Sequence, residues 1–185
     1  MRPEIEDLRR QLREAKEQGS TLLQRVDEVR LKKRAGPLKW SVGECFSHLN
    51  IANGQYIRAI EKTIHKAVDQ ELGAKGKYRY GLLERLFLRM LEPPATWKIK
   101  APEPFLPLNS TPREELLAVW EHTHDRLVLQ VERADDLDLK QKVISPVSGL
   151  FQPTLAMAFA VVAAHDRRHL RQAEKANKLA DNLDR

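Results

Sequence analysis

The chain has 185 residues, 42% of them hydrophobic and 31% charged; this fits one folded domain able to bury roughly 70% of its unfolded surface and excludes a disordered tail. No apolar run approaches the ~20 residues of a membrane span, and the single cysteine, Cys45, excludes an intramolecular disulfide or a Cys-only zinc site. Lys and Arg number 32 against 26 Asp and Glu, giving +6 and an isoelectric point near 9.5, but acids and bases are interleaved, the pattern of a solvated face rather than of a nucleic-acid patch.

The charged opening MRPEIEDLRR is unlike an apolar secretory peptide, so a reducing cytoplasm is the expected compartment. Only 8 glycines and abundant Leu, Ala, Glu, Lys and Arg favour helices. In chain order, Ile5, Leu8, Leu12, Ala15, Gly19, Leu22, Val26 and Val29 recur at steps of three and four, with Glu4, Asp7, Arg9 and Arg13 among the charges between them. This predicts a long amphipathic helix stopped near Arg34 by Gly36-Pro37. Ser41 and Glu44 are placed as a capping box for a second helix with Cys45, Leu49, Ala52, Tyr56 and Ala59 inward, running to about Asp69.

Leu82 to Leu91 reads as a short apolar helix ended by Pro93-Pro94, after which Pro102, Pro104 and Pro107 forbid regular structure. A connection of this length can cross the end of a bundle. Thr111, Pro112 and Glu114 supply an N-cap, an N1 proline and a capping-box acid for a third helix, whose seam is Leu116, Trp120, Thr123, Leu127, Val131 and Ala134. A loop through Pro146 and Gly149 leads to a fourth helix with Pro153 in its first turn. The fold class expected is all-α, a four-helix bundle with one or two short accessory helices, as a single domain over 1–185.

The fourth helix carries the most informative pattern. Phe151, Leu155, Ala158, Val162, His165, His169, Gln172, Ala176, Leu179 and Leu183 follow steps of four and three, so two histidines stand where a seam expects apolar residues. Spacing of i, i+4 stacks them about 6 Å apart at Cβ, close enough to share a metal. His48, at the border of the second helix's inward stripe, supplies a third imidazole. Three neutral histidines leave coordination positions open for water or substrate. The plainer alternative is three core histidines bonded to carbonyls or acids; seam register together with His48 favours metal.

Other candidates rank lower. Cys45 is expected to pack rather than to ligate or attack. His124 is expected in a structural or exposed role, His65 and His122 at the periphery, and Asp166 on the surface or as an acid behind a ligand. Glu121-x-x-His124 has no second copy, against a ferritin-like pair, and H-E-x-x-H is absent.

With WSVGECFSHL at 40–49 and AAHDRRHLRQ at 163–172, and more loosely SPVSGLF at 145–151, the chain resembles the DinB-like superfamily, helical-bundle metalloproteins that include YfiT-type metal-dependent hydrolases and thiol-dependent transferases. The resemblance implies that His48, His165 and His169 form the metal triad, with a divalent ion, nickel or zinc, and water completing its shell. It does not imply DNA binding. The loop here begins Ser145-Pro146 where some relatives carry His-Pro.

The expectation is a metal-dependent enzyme activating water or a low-molecular-weight thiol, hydrolase or thiol S-transferase in type, with no residue assigned as general base. Its rival is a non-catalytic, metal-stabilised binding bundle. The expected partners are a small-molecule substrate and a thiol cosubstrate, with neither membrane nor specific nucleic acid, and a homodimer is among the assemblies expected. Trp97 and Phe105 in the Pro-rich segment are expected either to cover the site or to pack as a plain connection. Arg167, Arg168, Arg171, Lys175 and Lys178 are expected on a solvated outer face.

Overall fold

The computed structural model describes residues 1–93, 100–108, 111–148 and 151–182. Its helices are α1 (Pro3–Arg25), α2 (Glu28–Lys32), α3 (Val42–Asp69), α4 (Leu82–Leu91), α5 (Arg113–Arg133) and α6 (Leu155–Asn182), with a 3-10 turn at Glu103–Phe105. The long four form the bundle, α1 and α3 each packing against both α5 and α6. The fold is all-α, as expected.

Local chemistry accounts for the ends. Ser41 Oγ accepts from Glu44 N and the Glu44 carboxylate accepts from Ser41 N, so the predicted box at the head of α3 is formed. Arg34 clamps the same carboxylate, donating from Nε at 2.7 Å, and Glu44 is held below the usual carboxylate range against the opposing effect of its burial.

Four expectations are corrected. The first helix stops at Arg25, not Arg34, because Val26 is extended and Asp27 caps a new short helix, its side chain accepting from Arg30 N. That break buries Leu31 and leaves Val29 75% exposed, outside the seam. Helix α5 begins one residue later than predicted: Pro112 is extended and is itself the N-cap, so the Thr111 box is not made, and Arg113 instead donates to the Val26 carbonyl at 3.2 Å. Pro153 and Phe151 precede α6, whose first turn is capped by Thr154 Oγ1 accepting from Met157 N. Finally, Glu103–Phe105 closes a 3-10 turn among the prolines, which a proline at its start permits. Gly149, Leu183, Pro94 and Trp97 lie outside the described residues.

Contacts along the bundle fix its direction. Arg2 at the head of α1 meets Asp135 just past α5, and Arg113 meets Val26, so α1 and α5 are antiparallel. Asn50 bonds the Leu116 carbonyl and Glu61 bonds Arg126, so α3 and α5 are parallel. The segment from 70 to 112 must therefore return along the bundle, about 40 Å for a 28-residue helix. Helix α4 lies against α6 on this path with Leu82, Leu83 and Leu86 exposed, and the 3-10 turn lies against α3.

Among the described residues the interior is two apolar clusters, not one. One gathers Leu12, Ile57, Ile60, Leu127 and Phe159; the other gathers Leu22, Phe46, Leu49, Trp120 and Leu170. Between them Asn53, Thr123, His124 and Asp166 form a buried polar layer contributed by α3, α5 and α6.

Candidate metal centre

His48 is carried on α3, His165 and His169 on α6, and each offers one ring nitrogen within 4.8 Å of the others. Sequence spacing alone stacks the α6 pair; the antiparallel packing of α3 adds the third ring. His48 Nε2 and His165 Nε2 are 3.2 Å apart, close to the separation of about 3.3 Å that two imidazoles show on one ion at 2.0–2.1 Å.

The ring of His48 is oriented from behind. Its Nδ1 donates to the Phe105 carbonyl at 2.6 Å, and since a carbonyl only accepts, that nitrogen holds the proton and Nε2 presents its lone pair to the cluster. Phe105 is buried, and the Pro-rich connection thus serves the site through its backbone.

Trp40 forms the outer wall, its indole 4.8 Å from the His48 ring and 5.8 Å from that of His169, centroid to centroid. All three imidazoles are held below their ordinary range by burial: His165 falls to about 4, helped by His48, and His169 well below, helped by His165 and His48. Neutral rings are the form a metal requires. His169 Nδ1 is buried without a hydrogen-bond partner. Converging ring nitrogens, a His48 tautomer preset by the Phe105 carbonyl and an orphaned His169 nitrogen fit a divalent ion.

Residues 11–173 match the family model of the DinB superfamily. The chain belongs to the DinB superfamily. No curated protein and no solved structure matches it. Membership of this superfamily is compatible with a metal-binding helical protein, and the histidine cluster of this DinB-superfamily chain is an arrangement able to hold an ion.

Cys45 is buried, its thiol pushed up by burial, and it is no part of the cluster. His65 and His122 are exposed. Ser145 is buried, bonding Val147 N and the Tyr56 side chain, not the histidines. Of the two places expected for Asp166, the surface is ruled out: it is 0% exposed, accepting from Asn53 Nδ2 at 2.8 Å and lying 3.1 Å from His124 Nε2, and it is no part of the cluster. His124 is as deeply buried, its Nδ1 donating to the Trp120 carbonyl at 2.9 Å. The sequence held a signal for all three. Asn53 is flanked four residues either way by Leu49 and Ile57, His124 by Trp120 and Val128, and Asp166 by Val162 and Leu170, all of them buried.

No helix among the described residues is long and apolar enough to cross a membrane.

Proposed function

We propose that this protein binds one divalent ion through His48, His165 and His169 and is an enzyme activating water or a low-molecular-weight thiol, of hydrolase or thiol S-transferase type. The observation that carries it is the Nε2 lone pair of His48, fixed by the Phe105 carbonyl and facing His165 Nε2 at 3.2 Å. Imidazole donors suit zinc and nickel. An ion held there would supply Lewis acidity, favouring the anionic form of a water or thiol near neutral pH.

The chain's own contribution is to hold three neutral donors and leave further coordination positions for substrate. Among the described residues the cluster holds no carboxylate or thiol, so a proton released on activation would pass to solvent or to the substrate. Trp40 beside His48 and His169 limits water on that side and offers an apolar wall to a substrate.

A second reading, a metal-stabilised bundle without catalysis, is favoured by the burial of His48 and by the Trp40 indole packed against His48 and His169, which enclose the cluster on that side.

Protein purified without a His tag is expected to carry about one divalent ion per chain, and a His48→Ala, His165→Ala, His169→Ala triple variant none. Stoichiometric metal in the triple variant, or a wild type that stays metal-free after reconstitution, overturns the proposal. Thiol cosubstrates tested with electrophiles, beside hydrolysable esters and amides, then separate the two reactions; turnover of neither favours the second reading.

A further inference from the structure

The polar layer across the bundle has a cost that the fold does not require. Asn53, His124 and Asp166 are each 1% exposed or less, and apolar residues of similar volume at such positions are often as stable or more so. The best-attested use of buried polar groups of this kind is to fix the register of one helix against another.

Packing sets the register of α6 only in part: Leu155, Phe159 and Leu170 are large buried anchors, but most of the buried residues between them are small. Its inward face is rich in Ala158, Ala163, Ala164, Ala173 and Ala176, all buried, and small side chains interlock shallowly with their neighbours. A slip of one residue moves a helix 1.5 Å and turns it about 100°, enough to carry both α6 imidazoles out of reach of His48. Asp166 adjoins His165 and precedes His169 by three residues, while Asn53 follows His48 by five. The Asn53–Asp166 bond at 2.8 Å therefore joins α3 to α6 within one turn of the histidines on α6 and about one and a half turns of His48 on α3.

From the third side, His124 holds the other carboxylate oxygen at 3.1 Å. Its own ring is fixed by the Trp120 carbonyl and by the Trp120 indole, 3.9 Å away centroid to centroid. The carboxylate is thus held by two helices at once. We propose that Asp166 is a positioning residue for the metal centre, its bonds to Asn53 and His124 setting the register in which α6 presents His165 and His169 to His48. The inference rests on the metal reading above.

Cobalt(II) is the probe, since its visible absorption reports both occupancy and ligand geometry. Wild type, Asp166→Ala, Asp166→Asn and Asn53→Ala are titrated, with circular dichroism to confirm folding. Asp166→Ala is expected to weaken cobalt binding by roughly tenfold or more and to shift the absorption bands at saturation. Asn53→Ala should shift both in the same direction by less. Asp166→Asn should stay near wild type, because an amide can accept from Asn53 while donating to His124 Nε2.

Wild-type affinity and bands in Asp166→Ala, or in Asn53→Ala if the first variant does not fold, overturn the proposal. Equal losses in Asp166→Asn and Asp166→Ala overturn it too, since they assign the effect to the charge and not to position. A wild type that binds no cobalt removes the metal reading itself, an outcome distinct from these.

Discussion

The Phe105 carbonyl accepts the Nδ1 proton of His48 at 2.6 Å. A turn in the segment that returns from the far end of the bundle thereby selects the tautomer of a ring on α3. The two are 57 residues apart in the chain, so the long crossover, needed because α3 and α5 run parallel, is put to use at the site it passes.

Phe105→Ala keeps the carbonyl but removes the buried side chain that seats the turn. Metal affinity is expected to fall roughly tenfold, the scale on which a partner orienting a ligand acts, while helicity is retained. Competition against a chromophoric chelator measures the first and far-ultraviolet circular dichroism the second. Unchanged affinity would show that the turn is seated by other contacts.

The elements whose signals are local were legible in the sequence. The Ser41–Glu44 box, the end of α3 near Asp69 and the bounds of α4 all follow from side chains acting within a turn or two. Convergence of His165 and His169 was legible for the same reason, as helical spacing. Illegible were contacts made through backbone, such as Phe105 to His48, because every residue owns a carbonyl. Misread was Asp166: the period of three and four puts His165 inward and its neighbour outward, whereas the deepest position on α6 at that level belongs to the carboxylate. The break at Val26-Asp27 was also written locally, in an aspartate three residues before Arg30, but a continuous apolar period hid it.

The low-lying imidazoles predict an acid-sensitive apo-protein. In the unfolded chain these histidines take up protons near pH 6.5, whereas folded His165 stays neutral down to about 4 because burial and His48 disfavour its charge. Between those values the unfolded state binds more protons, so stability falls as pH falls. Urea midpoints of chelator-stripped protein should drop between pH 7 and 4.5, and His165→Gln should flatten that dependence. An identical slope in the variant would place the effect in other groups.

Gly19 faces Trp120 so closely that an added Cβ would lie 2.5 Å from the indole. The indole is fully buried and its Nε1 donates to the Lys16 carbonyl at 3.0 Å, so it has little freedom to retreat. Alanine gains about 1 kcal/mol over glycine in helix propensity, but overpacking costs about 1–3 kcal/mol. Gly19→Ala is therefore expected to be neutral to destabilised by about 2 kcal/mol, read from the denaturant midpoint. A clear gain in stability would mean that α1 and α5 separate more easily than this contact implies.

The basic excess is expected to leave nucleic-acid binding weak. Arg167 departs from the solvated face assigned to it by sequence: it is half-buried, donating to Glu92 at 3.0 Å and to Gln11 at 3.0 Å, which ties α6 to the end of α4 and to α1. Arg171, Lys175 and Lys178 are exposed, with Glu174 exposed among them. Three such cations on one face can neutralise few phosphates, and each contributes a salt slope of only about −0.9. Association with duplex DNA or RNA should thus show a log–log slope no steeper than about −3 and vanish near physiological salt, without sequence preference, since phosphate contacts read no bases. Fluorescence anisotropy at low and physiological salt with unrelated duplexes tests this; tight, sequence-selective binding at the higher salt would reverse it and make α6 an interface.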